Sequence, residues 1–171
     1  MQINLKTAVL AAILATSSLH VHALDSDCKQ PIAIEADQGS LDQKNQVTVF
    51  SGNVLVTQGS LHMKAQNARV SQDKNGNQTM VATGNPVYFR QQLEGNKGIA
   101  EGWGSRAEYD SARNLVKLIG NAKVQRGGDM AQGEAISYNT QTEIYTVLGG
   151  NAVGNKKGRR VTVIIQPSQK Q

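Results

Sequence analysis

The sequence holds few of the residues that build disulfides and metal sites. Cys28 is its only cysteine, and it has three histidines in 171 residues. One cysteine excludes a disulfide framework within the chain, so stability has to come from burial and strand pairing. We interpret Cys28 as a free thiol in a loose N-terminal segment, with pairing to a second chain as the alternative. Two of the histidines, His20 and His22, lie in the N-terminal segment that is interpreted below as a cleaved signal. The third, His62, has no cysteine or carboxylate partner at ligand spacing, so no metal site is predicted.

The motifs of catalysis are also missing. The chain has no Gly-x-Ser-x-Gly turn, no glycine loop that would cradle a phosphate, and no base beside Cys28. Its carboxylates are scattered near predicted turns, so only folding could bring a catalytic pair together. The loop from Asp73 to Asn77 has its glycine in the wrong place for a calcium site, and Asn75-Gly76 is typical of a hairpin turn. The sequence therefore predicts no enzyme activity, no catalytic residue and no cofactor.

Long hydrophobic runs are absent too. Residues 1–23 combine Lys6, an apolar run from Ala8 to Ala15 and small residues ending at Ala23, which is the pattern of a cleaved secretory signal. That run is far below the roughly 20 residues of a membrane-spanning helix, so no transmembrane segment is predicted. The rest of the exported chain is expected to have three parts: a flexible N-terminal segment at 24–30, a single domain at 31–166 and a short tail at 167–171.

The charge is mildly basic, with a formal net charge of +5. Export argues against nucleic acid as the partner and leaves anionic lipid headgroups, an acidic protein surface, or simply a solvated basic surface. One basic run directly precedes the last apolar segment and consists of Lys156, Lys157, Arg159 and Arg160. These charges either protect a strand edge from uncontrolled pairing or contact phosphate groups or an acidic partner.

Short β-rich runs alternate with Gly and Asn along the rest of the chain, and no window shows helical periodicity. The pattern predicts an all-β protein. The predicted strands are Val47–Phe50, Asn53–Thr57, Leu61–Ala65, Val87–Gln91, Leu115–Ile119, Ala122–Arg126, Ile144–Leu148 and Val161–Ile165.

The dipeptide Gly-Asn recurs after apolar runs, and its copies begin at Gly52, Gly84, Gly120 and Gly150. Upstream of these copies, Leu41 and Val70 lie 29 residues apart, as do Tyr109 and Tyr138. A single Gly-Asn is only a common turn, but the recurrence favours a true repeat. We expect units of strands and turns that bury their apolar faces by stacking, with glycine letting the chain turn sharply between strands.

Alternation within the strands assigns a dry face and a largely wet one, because successive side chains point to opposite sides. Val54 and Val56 share a face, as do Leu61 and Met63. A stack of this kind leaves two edges, near residues 32–36 and 161–165, whose backbone groups lack partners. Another chain could complete each edge, giving a head-to-tail contact that need not close into a ring.

Three segments carry a resemblance to a known family. They are P-I-A-I-E-A-D from Pro31, F-S-G-N-V-L-V-T-Q-G from Phe50 and R-V-T-V-I-I-Q-P-S-Q from Arg160. In this order, over about Pro31 to Gln169, the chain resembles the LptA (OstA-like) family of periplasmic lipopolysaccharide transport proteins. The resemblance implies an open, twisted antiparallel β-jellyroll folded into a V, with a dry groove along its length.

The resemblance also implies a periplasmic carrier of lipopolysaccharide or lipooligosaccharide. Such proteins join end to end with one another and with relatives at the inner and outer membranes, so that their grooves form a path. The partner edges are then expected to consist of Ile32, Ala33, Ile34, Val161, Val163 and Ile165. The residues predicted to line the groove are Ile32, Ile34, Val54, Val56, Leu61, Met63, Phe89, Tyr109, Val116 and Leu118.

Two other functions stay open. One is a structural module that polymerises through its strand edges and carries no lipid. The other is a small periplasmic enzyme or glycan binder, which is disfavoured because aromatic residues make up only 4% of the chain and Trp103 is its only tryptophan.

Overall fold

The structure is a computed structural model that describes residues 30–93, 97–139, 141–142, 144–150, 158 and 160–167. Within these residues it contains ten strands in one antiparallel sheet and no helix, which confirms the predicted all-β fold. The predicted secretory signal, Cys28, Lys156, Lys157 and Arg159 lie outside the described residues. The strands are β1 (Ala33–Glu35), β2 (Gln38–Asp42), β3 (Val47–Gln58), β4 (Leu61–Gln72), β5 (Gln78–Gln92), β6 (Ile99–Asp110), β7 (Leu115–Arg126), β8 (Asp129–Asn139), β9 (Ile144–Leu148) and β10 (Thr162–Ile164).

The ten strands occupy eight positions in the sheet. The order is β1-β3-β4-β5-β6-β7-β8-β10, while β2 also pairs with β3 and β9 also pairs with β8. β1 lies opposite residues 55–57 of β3, and β2 lies opposite residues 47–51 of the same strand. Similarly, β10 lies opposite residues 130–132 of β8, and β9 opposite residues 135–139. Two short strands therefore share each edge position.

Each ladder between the long strands β3 to β8 changes register once, near the middle. The shifts lie between Ser51 and Val54, Lys64 and Asn67, Thr83 and Val87, Trp103 and Arg106, and Ile119 and Ala122. Bulges of this kind bend a strand. They divide the sheet into a β1/β10 half (β1, β10 and residues 54–65, 87–92, 99–104 and 122–133) and a β2/β9 half (β2, β9 and residues 47–51, 67–83, 106–119 and 135–139).

The inner faces of the two halves pack on one another and form the core. The core cluster takes Val54, Val56, Met63, Val87 and Ala122 from the β1/β10 half, and Ala68, Ala82, Ala107, Leu118 and Ile136 from the β2/β9 half. No polar or charged residue is buried in the described part of the chain. A bent sheet whose halves face each other across an apolar interior is consistent with the expected V-shaped jellyroll.

Two of the Gly-Asn pairs form the bends. Gly52 and Asn53 have φ of 77° and 46°, and Gly120 and Asn121 have φ of 78° and 53°. This left-handed region suits glycine and is tolerated by asparagine. The prediction that these pairs separate neighbouring strands is wrong, because they lie inside β3 and β7 and join the two halves of one strand.

The other two Gly-Asn pairs differ. Gly84 lies at the bend of β5 without a left-handed φ, ahead of a cis bond between Asn85 and Pro86. Gly150 follows β9, and Asn151 lies outside the described residues. The dipeptide therefore recurs without a single structural role.

Each of the two left-handed bends is held by a polar side chain from the chain 15 residues earlier. The Asp37 carboxylate accepts a hydrogen bond of 2.9 Å from Asn53 Nδ2, and the Ser105 hydroxyl donates one of 3.3 Å to the Gly120 carbonyl. A Cβ built on Gly52 would overlap Asp37, and one built on Gly120 would come within 2.8 Å of Ser105 Oγ. Because each glycine has no side chain, Asp37 or Ser105 has room to contact the bend, and we call each of these contacts a clamp.

The repeat has a unit of 68 residues, not 29. Gly52 and Gly120 lie 68 residues apart and have matching φ values, and the same spacing and match hold for Gln46 with Asn114 and for Gly59 with Gly127. The first unit supplies the β1–β2 pair, β3, β4 and β5. The second supplies β6, β7, β8 and the β9–β10 pair.

The 29-residue offset spans two steps across the sheet. Leu41 lies opposite Thr48, which lies opposite Val70 on the next strand. Tyr109, Val116 and Tyr138 repeat that arrangement one unit later. A repeat is thus present, as predicted. The 29-residue spacing, however, connects side chains of one row that lie two strands apart, and it is not the length of the repeating unit.

The predicted strands were incomplete. β2, β6, β8, the second half of β4 and the first half of β5 were missed, and β10 is one residue shorter at each end than predicted. β6 reads I-A-E-G-W-G-S-R-A-E-Y-D, with two glycines and few β-branched residues. Such a segment has low intrinsic β propensity. It becomes a strand because β5 and β7 pair with it on both sides.

Replacing Gly120 by alanine tests the bend. Gly120→Ala is expected to lower the free energy of unfolding by about 2–3 kcal/mol, since a left-handed alanine costs about 1–2 kcal/mol and Ser105 must also move. Gly127→Ala is the matched control, because Gly127 has φ of 56° but nothing within 4 Å of the added Cβ. It should lose only about 1 kcal/mol. Urea unfolding measures both, and equal losses would contradict the clamp.

Candidate functional site

The inner face of the β1/β10 half presents a continuous apolar row. Ile34, Val56, Met63 and Phe89 lie directly opposite one another across β1, β3, β4 and β5. The row continues through Gly102, Val124, Ala131 and Val163 on β6, β7, β8 and β10. It crosses the whole sheet without a polar side chain.

Phe89 fills the gap that Gly102 leaves in this row. A Cβ on Gly102 would overlap the Phe89 ring, so the ring lies over the bare backbone of β6. An aromatic side chain across from a glycine covers backbone that would otherwise face the interior. The apolar surface therefore stays unbroken at the strand with the poorest apolar sequence.

The β2/β9 half presents two inner rows. The row next to the bend has three alanines at its centre and contains Phe50, Ala68, Ala82, Ala107, Leu118, Ile136 and Val147. The row beyond it contains Leu41, Thr48, Val70, Met80, Tyr109, Val116, Tyr138 and Tyr145. Tyr138 and Tyr145 stack with their ring centroids 4.2 Å apart. Small residues at the bend let the two halves approach each other closely.

The predicted groove residues fall on this interior side. Strand alternation places nine of them on inner faces: Ile34, Val54, Val56, Leu61, Met63, Phe89, Tyr109, Val116 and Leu118. Ile32 precedes β1 and is 54% exposed. Lipid contact by any of these residues stays a prediction, since packing of the core requires the same placement.

Sequence reasoning missed the alanines of the interior. Ala82 and Ala122 have no exposed surface, and Ala68 is 2% exposed. Ala68 and Ala122 alternate with polar neighbours, so counting alanine as apolar would have placed these two on the inner face. Val87, also fully buried, was predicted within a strand but not in the groove.

Towards the turn end of the β1/β10 half, polar residues join Leu61 and Ala100 on the inner face. Beyond Val56, Phe89 and Val124, the next inward positions are Gln58, Gln91 and Arg126. Arg126 Nη2 lies 3.4 Å from Asp129 Oδ2 at the start of β8. The apolar surface is therefore bounded by polar groups on this side, while the β2/β9 half ends in tyrosines.

Both ends of the sheet expose apolar side chains. At the first end, Ile32 and Leu41 are 54% and 62% exposed. The last end exposes Ile144, Tyr145, Leu148, Val161, Val163, Ile164 and Ile165. Clusters of exposed apolar residues mark interaction surfaces on soluble proteins. β1 and β10 lie at the edges predicted for partner contact, whereas the edges at β2 and β9 were not predicted.

β10 is attached to the sheet by few contacts. Only three of its residues, Thr162, Val163 and Ile164, pair with β8. Beyond them, the Gln166 amide donates a hydrogen bond of 2.8 Å to Asp129 Oδ1. This hydrogen bond, together with one from Arg126, lowers the pKa of Asp129 below its usual range. Asp129 therefore helps to hold the last strand on the sheet, and we call its contact with Gln166 the latch.

Features of other kinds of site were not found in the described ranges. They hold no group of three or more His, Cys, Asp or Glu side chains that could bind a metal ion. They also contain no helix with the length and hydrophobicity needed to cross a bilayer.

Comparison with known proteins gives consistent matches. Residues 33–144 match the family described as LptA/(LptD N-terminal domain) LPS transport protein. The chain is 35% identical over 172 residues to the lipopolysaccharide export system protein LptH of Pseudomonas aeruginosa, with 98% of this chain and 97% of that protein covered. It is 34% identical over 165 residues to the lipopolysaccharide export system protein LptA of Escherichia coli K12, with 95% and 85% covered.

The fold is likewise similar to a solved structure. The crystal structure of LptH, the LptA homologous periplasmic component of the lipopolysaccharide transport device of P. aeruginosa, aligns with a TM-score of 0.71 and 36% identity. The alignment covers 83% of this chain and 99% of that one. The open antiparallel sheet described above is therefore the fold of that structure.

The latch at Asp129 predicts a pH dependence. Because the folded-state pKa of Asp129 is lowered, its contact with Gln166 is present above the usual aspartate pKa and is lost as the pH falls through the lowered value. The Gln166 amide proton should therefore shift upfield in NMR spectra below about pH 4. Asp129→Asn should remove this titration. Asp73 is the control, because its pKa is also lowered but it lies in a turn of the other half, so Asp73→Asn should leave the Gln166 titration intact. An unchanged titration in Asp129→Asn would contradict the latch.

Proposed function

The chain belongs to the family of LptA and LptD N-terminal domain lipopolysaccharide transport proteins, and we propose that it is a periplasmic carrier that shields the acyl chains of lipopolysaccharide or lipooligosaccharide between its two sheet halves. Its relatives are named as lipopolysaccharide export proteins. The observation that carries the proposal is the apolar row from Ile34 to Val163, which crosses all eight strand positions without a polar side chain. A lipid chain could follow it from one edge to the other.

The energetics explain why such a row is needed. Exposing an acyl chain to water costs about 0.8 kcal/mol per methylene, or roughly 10 kcal/mol for a twelve-carbon chain. An apolar interior removes most of that barrier. Because the acyl chain passes from one apolar environment into another, the protein interior need not bind the lipid tightly. The direction of transport therefore has to come from an energy source elsewhere.

The sheet also supports head-to-tail assembly. Eight strand positions alternate in direction across each half, so the first and the last run oppositely. When a second copy follows in the same orientation, its β1 is antiparallel to β10 and its β2 is antiparallel to β9. Antiparallel pairing would then continue through the junction without reversal of either copy.

The internal repeat supplies a template for that junction. Inside the chain, the first 68-residue unit meets the second where β5 pairs with β6, with Phe89 opposite Gly102 and Met80 opposite Tyr109. The equivalent of Phe89 in the second unit is Val163, because Phe89 pairs with Met63 as Val163 pairs with Ala131. The equivalent of Gly102 in the first unit is Ile34. We therefore expect Val163 of one copy opposite Ile34 of the next.

The same reasoning fixes the other half of the junction. Tyr145 takes the place of Met80, and Leu41 takes that of Tyr109. Pairing Tyr145 with Leu41 of the next copy would cover two side chains that are 57% and 62% exposed. Relatives at the inner and outer membranes would use the same edges. The Arg160 side chain, beside β10, remains the only described member of the basic run proposed to contact phosphate or an acidic surface.

A structural module that pairs through its edges and carries no lipid is the second candidate. The exposed apolar residues at both ends favour edge pairing equally under either function. Only lipid contact on the inner face separates the two.

Photo-crosslinking tests lipid contact. A photoreactive residue at Val56 or Phe89 is expected to trap lipopolysaccharide in cells, because both side chains lie in the inner row. Thr57 is the matched control, since it follows Val56 and points to the opposite face. Adducts detected by immunoblotting and mass spectrometry only at Thr57 would contradict the assignment of lipid to the inner face, and adducts at none of the three would favour the structural module.

Cysteine pairs test the junction. In a Cys28→Ser background, Ile34→Cys combined with Val163→Cys should give a ladder of disulfide-linked multimers on oxidation, seen on a non-reducing gel. Directly opposed residues of antiparallel strands have Cα atoms about 4.5–5.5 Å apart, which a disulfide can bridge.

The control moves the pair out of register. Glu35→Cys combined with Val163→Cys places the two thiols on opposite faces and should give few multimers. Equal ladders from both pairs would show that the copies associate without the inferred register. Leu41→Cys with Tyr145→Cys tests the other half independently.

A further inference from the structure

The outer face of the β1/β10 half carries a row of side chains that lipid transport along the inner face does not use. Lys64, Tyr88, Trp103, Lys123 and Gln132 lie directly opposite one another across β4 to β8. Thr162 extends the row on β10. We call these six residues the outer stripe. They alternate with inner residues such as Met63, Phe89 and Val124, so they face away from the apolar interior.

Two aromatic rings lie at the centre of the outer stripe. The centroids of Tyr88 and Trp103 are 5.5 Å apart, and their planes are inclined by 43°. The Tyr88 hydroxyl donates a hydrogen bond of 2.5 Å to Glu101, which raises the pKa of Tyr88. The scarcity of aromatic residues disfavoured a glycan binder in the sequence, but the structure places the one tryptophan and one of the four tyrosines side by side on a solvent-facing surface.

A lysine flanks each ring. Lys64 lies opposite Tyr88, and the Lys123 ammonium lies 5.1 Å from the centroid of Trp103. None of the ion pairs found among the described residues includes Lys64 or Lys123. The order cation, ring, ring, cation therefore presents two apolar platforms with a positive charge on either side.

The stripe ends in a hollow at the β8/β10 edge. The hollow has a volume of about 300 Å³ and is lined by Gln132, Gly133, Arg160 and Thr162. From Lys64 to Thr162 the stripe crosses five strand steps, or about 24 Å at 4.8 Å per step.

The positive charge is specific to this half. The charged residues on its outward-facing strand positions are three cations, Lys64, Arg90 and Lys123, and two anions, Glu35 and Glu101. Arg160, beside β10, adds a fourth positive charge. On the outer face of the β2/β9 half, Arg69, Arg106 and Lys117 are balanced by Asp42, Glu108 and Asp110. Arg106 is also held by Glu108 at 2.6 Å. An anionic ligand would therefore be drawn more to the β1/β10 half than to the β2/β9 half.

We propose that the outer stripe binds a linear anionic glycan, with Tyr88 and Trp103 contacting sugar rings and Lys64, Lys123 and Arg160 pairing with carboxylates. Sugar rings have apolar C–H faces that suit aromatic platforms, and their hydroxyl groups suit Gln132 and Thr162. An acidic peptide would use the cations but would not need two rings in line between them.

The occupant is a strand of the cell-wall glycan and not the sugar portion of the transported lipid. Acyl chains on the inner face place their headgroup on that side of the sheet, and the outer stripe lies on the opposite side. The glycan of the periplasm is linear, and each muramyl residue that has lost its stem peptide carries a free carboxylate, which suits two adjacent rings with a cation on either side. Binding would hold the carrier against the cell wall without occupying its interior.

The single tryptophan makes the test direct, because Trp103 emission reports on the stripe. The signal-cleaved protein is titrated with a soluble tetrasaccharide of alternating N-acetylglucosamine and N-acetylmuramic acid. A saturable change in emission is expected, with affinity about tenfold weaker for the uncharged N-acetylglucosamine tetramer, because charged contacts are lost. Lys123→Gln should weaken binding of the muramyl tetrasaccharide by a similar factor. Lys64→Gln, farther from Trp103, should also weaken binding if Lys123→Gln alters the emission itself.

Lys117→Gln is the matched control, since Lys117 lies on the outer face of the same strand in the other half. It should bind as the parent does, and bound lipopolysaccharide should not compete. Equal affinity for the neutral tetramer, equal loss in Lys117→Gln, or competition by lipopolysaccharide would overturn the proposal. So would binding of polyglutamate in preference to the tetrasaccharide, which would assign the stripe to an acidic protein.

Discussion

The structure depends on one constraint, which is that every long strand must bend at the same level of the sheet. The register shifts that produce these bends let one continuous sheet fold so that its two halves share an apolar interior. At Gly52-Asn53 and Gly120-Asn121 the bend requires a left-handed backbone, and Asp37 and Ser105 fill the space where a side chain would stand. Alanines beside the bend then allow the halves to meet. Without the bends, the apolar rows would face water on a flat sheet.

The bends bury the apolar rows of the sheet, but because the sheet does not close on itself, its edges stay exposed. A barrel would satisfy its edge strands internally, whereas this sheet ends in short strands with exposed apolar side chains. Such edges are a hazard unless a partner covers them. Because the chain is a repeat of two four-strand units, its edges resemble the surfaces that already meet where β5 pairs with β6. Growth by further copies would therefore reuse a contact that the fold contains.

The two faces of the sheet have separate chemistry. The inner face is apolar and is bounded by polar groups and tyrosines, while the outer face differs between the two halves. In the β2/β9 half, opposite charges are balanced and partly paired, as for Arg106 and Glu108. In the β1/β10 half, lysines flank Tyr88 and Trp103. A lipid carrier needs only the inner face, so the outer face is free to hold the protein in place.

The sequence by itself determined the all-β class, the inner and outer faces of its clearest strands and the two edges at β1 and β10, because strand alternation and apolar runs are local properties. It also contained the repeat, although the 29-residue spacing concealed a 68-residue unit. Only the tertiary structure decided that Gly52-Asn53 and Gly120-Asn121 bend strands, that the glycine-rich segment 99–110 is a strand, and that Ala82 and Ala122 are fully buried. These features depend on neighbouring strands distant in sequence, whose backbone pairing and close approach override local propensity.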